Sequence, residues 1–400
     1  MKKTLPEPAD FVCILGRYYR HVKTEIGVVL SAFSYTRLRD IFPKRQDRLK
    51  IPDLIGFTSE PDHLNFRQIV DGKWWNAYHE LMVKPAPGEW PTIRKFLAHI
   101  FGEQFEYGMD YIELLYISPT QKLPALLLLS EENRTGKTTF VNLLTAIFGK
   151  NAVVLANEDI NSRYNAHYAT GLIAAIDEAS IQCRADIDKI KSLITSESLM
   201  VEPKGFDRFP ITNNLHVLFC SNDTHAALLI DRHDRRHWVR DVPVPPDRDP
   251  ELLVKMIEEI PAFLNFLVNR PLSIQNEDRL YFKPERLATD ALRRIIANTE
   301  ARLHGNEMDL AEVINTAMDS IDKDELSLTL GDLLLLAQQS GFKNLSQQTV
   351  RRTLTLWFPD GPTNTSYQSY VDKEGQILAT PVTRKGRFYK FNKQFINSAL

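Results

Sequence analysis

Between Leu123 and Pro246 the hydrophobic positions stop alternating and gather into three short uninterrupted runs, LPALLLLS, GLIAAIDE and LHVLFCSN. A strand that is apolar at every position has both faces covered, the pattern of a parallel sheet flanked by helices. Each run ends in polar residues: Ser130, Asp177 with Glu178, and Ser221 with Asn222. Open α/β sheets bind ligands beyond the carboxyl ends of their strands, so these three ends are expected to converge. Two amphipathic helices are predicted beside them. Ile93, Phe96, Leu97, Ile100 and Phe101 share one face ahead of Gly102, and Phe140, Leu143, Leu144, Ile147 and Phe148 share another ahead of Gly149. Further helices are expected around Tyr111–Tyr116 and in the acidic stretch ELLVKMIEEIPAFLNFLV, after which Asn269 to Asp278 reads as a linker.

The remaining segments give weaker patterns. Residues 1–88 mix short apolar runs with charge clusters such as KRQDRLK and carry no assignable fold. Near the other end, Leu328 to Gln339 and a Ser346-capped stretch through Leu354 read as two helices. Strand-like segments Gln376–Val382 and Arg387–Phe391 follow, joined by a turn at Thr383-Arg384-Lys385-Gly386. Helix, turn, helix and a two-stranded wing make a winged helix, whose second helix (Arg351, Arg352) and wing (Arg384, Lys385) would contact DNA.

The chemistry sits between the first apolar run and its helix, in Ser130-Glu131-Glu132-Asn133-Arg134-Thr135-Gly136-Lys137-Thr138-Thr139. Strand, loop and helix in that order surround an anion with backbone N–H groups and a helix N-terminus, as the GxxxxGK[ST] motif requires. Residues Glu132 to Thr139 would then cradle the phosphates of ATP, with Lys137 on the β- and γ-phosphates and Thr138 on Mg²⁺. The loop departs from the motif at its first glycine, which is Glu131 here. A side chain and a negative charge at that position are expected to weaken phosphate binding, with Arg134 compensating in charge. Asp177 and Glu178 end the second run 40 positions after Lys137 (177 − 137). They suit a magnesium-shell carboxylate and a residue that orients the attacking water. Asn222 would face the γ-phosphate, and Arg235 or Arg236 would stabilise transition-state charge in a neighbouring subunit. His233 and His237 lie four apart beside two aspartates, but no further sulfur or imidazole ligand lies nearby to make a metal site.

Composition narrows the setting. The net charge of −2 conceals a basic tail: Gly341–Leu400 holds nine Lys or Arg against three acids. No run approaches the roughly 18–20 apolar residues of a membrane span, so the chain reads as cytosolic, at a replication site in a host cell. Cys13, Cys183 and Cys220 form no CxxC pair and read as buried thiols.

Within residues 135–236 the order is TGKTT, IDE, a lysine-bearing hairpin (LMVE-PKGFD-RFPI), SN and RR. In this order, residues 90–245 resemble the superfamily 3 helicases of the AAA+ class, especially the helicase half of viral and phage-type primase-helicases. The resemblance implies an α/β fold with an AAA+ type P-loop core and a parallel sheet flanked by helices. Together with the segment patterns above, it leads to a division into an N-terminal region of unassigned fold (1–88), a helical collar (89–122), the ATPase core (123–270), a helical linker region (271–324) and the winged helix (325–400). It further implies ATP and Mg²⁺ as cofactors, a homo-oligomeric ring, usually a hexamer, and Lys204 at the hairpin tip following single-stranded DNA through the channel. The segment before the core is too short for the primase module of fused relatives, so priming would come from a separate protein. The expected function is that of an ATP-dependent DNA helicase in viral, phage or mobile-element replication. Two alternatives stand beside it: an ATPase that loads or remodels nucleoprotein, and a nucleic-acid-binding regulator with a decayed site.

Overall fold

The computed structural model describes residues 6–24, 27–179, 181, 184–203 and 208–399. They fall into two compact units, Met1–Ile295 and Ile296–Leu400. The first is a mixed α/β unit built on a five-stranded parallel sheet in the order His237–Asp241, Ala125–Leu129, His216–Ser221, Ile173–Ile176, Ala152–Leu155. The three central strands are the three uninterrupted apolar runs, and every residue in them is buried. The sequence pattern missed the two edge strands for physical reasons. Ala152–Leu155 is four residues long with Val154 half-exposed. His237–Asp241 contains Arg240, whose buried guanidinium is held by Glu103 and Gln104.

Helices pack on this sheet through the faces that their periodicity predicts. Lys137–Phe148 buries Phe140, Val141, Leu143, Leu144, Ile147 and Phe148, and Pro91–Phe101 buries Ile93, Phe96, Leu97, Ile100 and Phe101. Phe105–Ile117 and Leu252–Asn269 complete the same core. Residues 269–278, linker-like in sequence, are pinned to it. Arg270 is partly buried, with Nη1 at 2.6 Å from both Asp110 and Glu113, and the Ser273 amide donates to Asp110 at 3.0 Å. Among the described residues no helix is long and apolar enough to cross a membrane.

The unassigned N-terminal region is a β structure. Its larger sheet runs Gly27–Phe33, Arg17–Thr24, Phe11–Ile14, Asp53–Leu54, the last pair parallel and the others antiparallel. A smaller sheet is formed by Gly56–Thr58, Trp74–Asn76 and Ile69–Val70. Val12, Ile14, Tyr19, Leu54 and Trp75 form the core of this region. Asn151 fastens it to the end of helix Lys137–Phe148, accepting from the His79 amide at 2.9 Å and donating to the His79 carbonyl at 2.8 Å.

In the second unit, strand Glu325–Leu328, helices Leu330–Gln339 and Gln347–Trp357, and strands Thr363–Val371 and Ile377–Asn392 enclose a core that includes Leu328, Leu333, Val350, Leu354 and Phe391. Ser346 caps the second helix as expected, accepting from the Thr349 amide, and Thr329 caps the first, accepting from the Asp332 amide. The expected turn at Thr383–Gly386 is absent. These residues lie inside one 16-residue strand, where Arg384 pairs with Tyr367 and Lys385 with Ser366. The ribbon turns at Asp372–Gln376 instead, where Gly375 adopts φ +87°. Arg351 and Lys385 are exposed, Arg352 and Arg384 are half-buried, and Arg384 approaches Asp332 at 3.8 Å.

Candidate functional site

At the carboxyl edge of the five-stranded sheet, one cleft is lined by Asn133 to Thr139, Asp177, Glu178, Ser221 and Asn222. Register brings these residues together. The strands ending at Leu129 and Ile176 both pair with His216–Ser221, and Leu129 lies opposite Ser221. The loop ends are then tied across the edge: the Ser130 amide donates to the Ser221 carbonyl, the Ala179 amide to the Cys220 carbonyl, and the Ser221 hydroxyl to the Ala179 carbonyl.

Lys137 occupies the first turn of its helix and is buried. Its Nζ donates to the carbonyls of Ser130 (3.1 Å) and Glu132 (3.3 Å) and to Thr135 Oγ1 (3.4 Å). Burial pushes its pKa below the usual lysine value, an effect opposed by the nearby Asp177 carboxylate. The ammonium is thus held inside the loop, in low dielectric, where an anion would meet it with little screening. Gly136, which precedes it, has φ +108°, and a Cβ there would lie 3.1 Å from Phe96. Positive φ and close helix approach together leave room for glycine alone. His99, on the polar side of that same helix, contributes a ring nitrogen 2.9 Å from the Thr135 carbonyl. No sequence signal marked it, because it is one polar residue on an ordinary amphipathic helix.

Across the cleft the Thr138 hydroxyl donates to Asp177 Oδ2 at 3.1 Å. Asn222 Nδ2 donates to Asn133 Oδ1 at 3.2 Å, linking the third strand end to the loop. Glu178 has an exposed side chain and φ +56°, a strained conformation for a non-glycine residue. Its amide donates to Asp177 Oδ1, and Asn157, a residue that sequence reasoning did not single out, donates to its carbonyl at 3.3 Å.

Glu131, at the motif's first glycine, turns away from the cleft. Its carboxylate accepts from Thr224 Oγ1 at 3.0 Å and lines a neighbouring recess with Arg240, Asp241 and Arg294. Its φ is not among the positive values; Arg134 takes the left-handed conformation in this loop, with φ +61°. Glu132 enters the site through its carbonyl, as an acceptor from Lys137.

Arg235 and Arg236 lie at the opposite end of the sheet. The strand they precede pairs His237 with Ala125 and Asp241 with Leu129, so about 13 Å of strand separates them from the cleft edge. Arg235 is exposed. Arg236 Nη1 is 3.2 Å from Asp234, which Lys191 also approaches at 3.4 Å. Burial alone would raise the Asp234 pKa; the His237 ring, with Nδ1 at 3.4 Å, the Arg236 amide that donates to the carboxylate and the Arg236 guanidinium outweigh it and hold the carboxyl well below its usual range. The two strands of the expected hairpin are present, Ser198–Val201 pairing antiparallel with Phe209–Thr212. Lys204 itself lies outside the described residues, as does Cys183.

Comparison with known proteins gives a fold without an activity. A family described as of unknown function, DUF5906, matches residues 128–236, the stretch from strand Ala125–Leu129 to Arg236. No curated protein sequence matches. Among solved structures, an apo structure of the NrS-1 C-terminal region is similar at 16% identity with a TM-score of 0.59, covering 94% of this chain and 95% of that one. Its A form is similar at 16% identity and a TM-score of 0.60, over 96% and 99% of the two chains. At this identity the likeness establishes the mixed α/β fold with its five-stranded parallel sheet, and it extends over nearly the whole chain.

Proposed function

We propose that this chain is an ATP-driven motor of the AAA+ class, a DNA helicase or translocase acting in replication of a virus, phage or mobile element. The observation that carries the proposal is the meeting of Lys137, Thr138, Asp177, Glu178 and Asn222 in one cleft at one sheet edge. In that cleft Lys137 and the loop amides bind the phosphates, Glu178 orients the attacking water, and Asn222 fixes the γ-phosphate side. The hydroxyl–carboxylate pair of Thr138 and Asp177 is an all-oxygen donor set suited to Mg²⁺, which when bound neutralises developing phosphate charge. Lys137, buried and already donating three hydrogen bonds, exchanges carbonyl partners for phosphate oxygens without leaving the loop.

The position of Arg235 and Arg236, at the far end of the sheet from their own cleft, supports action on a neighbour's nucleotide and hence a closed ring of identical subunits. Lys204 would grip single-stranded DNA from the hairpin. The C-terminal unit acts as a winged helix, with Arg351, Arg352, Arg384 and Lys385 against duplex phosphates.

The test is ATP turnover by the purified protein against Lys137→Ala and Glu178→Gln, with strand displacement measured in parallel. Turnover lost in both variants, with displacement by wild type, is the expected result. Equal turnover in all three would overturn the motor and leave a nucleic-acid-binding regulator, and turnover without displacement would identify a loader or remodeller.

A further inference from the structure

Charge is segregated within the first unit as well as in the basic tail. Residues 17–50 hold nine Lys or Arg against three acids, a net +6, whereas the rest of the chain carries −8. Part of that excess is structural. Arg48 donates to the carbonyls of Phe42 and Pro43 at 2.5 and 2.8 Å, and Lys50 pairs with Asp47 at 3.1 Å. What Arg48 holds is the turn after helix Tyr35–Ile41, and the turn leaves Lys44 and Arg45 exposed. Arg37 and Arg39 are exposed on the helix itself, whose buried side is Leu38, packed with Phe11, Phe42 and Ile51.

Beside these cations stands an aromatic step. Tyr35 is 51% exposed and stacks on Tyr18 of the adjacent strand, with ring centroids 5.5 Å apart and planes 29° from parallel. Arg39 lies one helical turn after Tyr35, on the same side. A flat, solvent-facing ring flanked by unburied cations is the combination that holds single-stranded nucleic acid: bases stack on the ring while phosphates meet the charges. The module is also joined to the hairpin, because Phe57 of strand Gly56–Thr58 stacks on Phe209 of the hairpin's second strand at 5.4 Å.

We infer that the N-terminal β module is a second nucleic-acid site, in which Tyr18, Tyr35, Arg37, Arg39, Lys44 and Arg45 bind single-stranded nucleic acid without reading its sequence. The inference builds on the motor reading, since the module's seat against the hairpin would let it hold the strand that the hairpin moves.

The test uses the full chain and a fluorescent oligothymidylate, with anisotropy followed across a salt series in the absence of nucleotide. The double reversals Arg37→Glu/Arg39→Glu and Lys44→Glu/Arg45→Glu should each weaken binding about tenfold or more. The slope of log affinity against log salt should fall by roughly 1.4 for each pair of lost phosphate contacts. Tyr35→Ala should weaken binding about fivefold. As a readout independent of substitution, bromodeoxyuridine oligonucleotides should crosslink to Tyr18 or Tyr35. Unchanged affinity and slope, or crosslinks confined to the Ser198–Thr212 hairpin and the C-terminal unit, would overturn the inference. DNA-independent ATP turnover should be unaffected by the reversals. A protein that turns over no ATP yet loses oligonucleotide binding on reversal would therefore uphold this site while sinking the motor.

Discussion

The hydrogen bond between Thr138 and Asp177 is the sharpest handle on the chemistry, because it should matter for magnesium and hardly at all for folding. The Thr138 Oγ1 to Asp177 Oδ2 distance is 3.1 Å and the bond is solvent-exposed, so losing it should cost under about 1 kcal/mol of stability. If both groups orient a divalent ion's shell, replacing either should weaken the ion about 10- to 100-fold, the range for outer-shell partners. That corresponds to roughly 1.4–2.8 kcal/mol. Asp177→Asn keeps the shape and removes the charge; Thr138→Ala removes the donor. If they serve one ion, the double variant should lose little more than the worse single, with a coupling of about 1–2 kcal/mol. The assay is phosphate release at saturating ATP against free magnesium for all four proteins, with thermal denaturation alongside. Additive losses, or an unchanged half-saturating magnesium concentration, would refute the shared shell; a fall in activity that tracks a fall in Tm would make the pair structural.

Two further outcomes follow from the geometry. Arg235→Ala should cut ATP turnover about a hundredfold or more with Tm unchanged, and mixing it with Lys137→Ala protein should restore some activity if the arginine works in trans. Arg236→Ala should instead destabilise by about 1–3 kcal/mol, since it strips a partner from the buried Asp234 carboxylate. The second outcome concerns pH. His63 and His216 are buried, and burial pushes both pKa values down to about 4. Their folded values lie below the unfolded 6.5, so the unfolded chain binds more protons; the stability they confer is full above about pH 6.5 and is lost as pH falls toward 4. By pH 4.5 each should have cost on the order of 2–3 kcal/mol. Urea unfolding of wild type and His63→Gln at pH 7 and 4.5 checks this, and an equal pH dependence in the two proteins would contradict it.

What the sequence revealed and what it hid divide along one physical line. Runs such as Leu126–Leu129 are readable because both faces of a central parallel strand are covered and hydrophobicity alone encodes that. Edge strands and the N-terminal sheets depend on pairings that hydrophobicity does not encode. Asp53–Leu54 joins Phe11–Ile14 across some forty residues of chain, and Arg240 fits a buried strand only because Glu103 and Gln104 receive it. Likewise the Asn269–Asp278 stretch has linker composition, and its order comes from the carboxylates of Asp110 and Glu113 on another helix. In the site, the spacing of Lys137, Asp177 and Asn222 was legible because each follows a readable strand. His99 and Asn157 contribute through backbone carbonyls of other residues, for which no residue type or spacing is diagnostic.

The glycine that the motif asks for at position 131 can be weighed by what the backbone demands at each position of the loop. Glycine helps such loops where φ is positive or backbone must approach ligand. Here those demands fall on Gly136, with φ +108°, and on Arg134, with φ +61°, while Glu131 sits in ordinary backbone with its carboxylate bonded to Thr224 on the far side of the loop. Strain of about 1–2 kcal/mol at Arg134 is tolerable because the loop is tied at both ends, by Ser130 to Ser221 and by Asn133 to Asn222. Glu131→Gly, which restores the textual motif, should therefore leave the KM for ATP within about twofold. It should lower stability by roughly 0.5–1.5 kcal/mol through the lost Thr224 hydrogen bond and the added backbone freedom. Arg134→Gly should relieve strain yet forfeit a cation lining the cleft, raising KM without lowering Tm. A tenfold fall in KM for Glu131→Gly, read from steady-state phosphate release, would mean that the carboxylate reaches the nucleotide and that Glu131 leaves Thr224 when the loop is loaded.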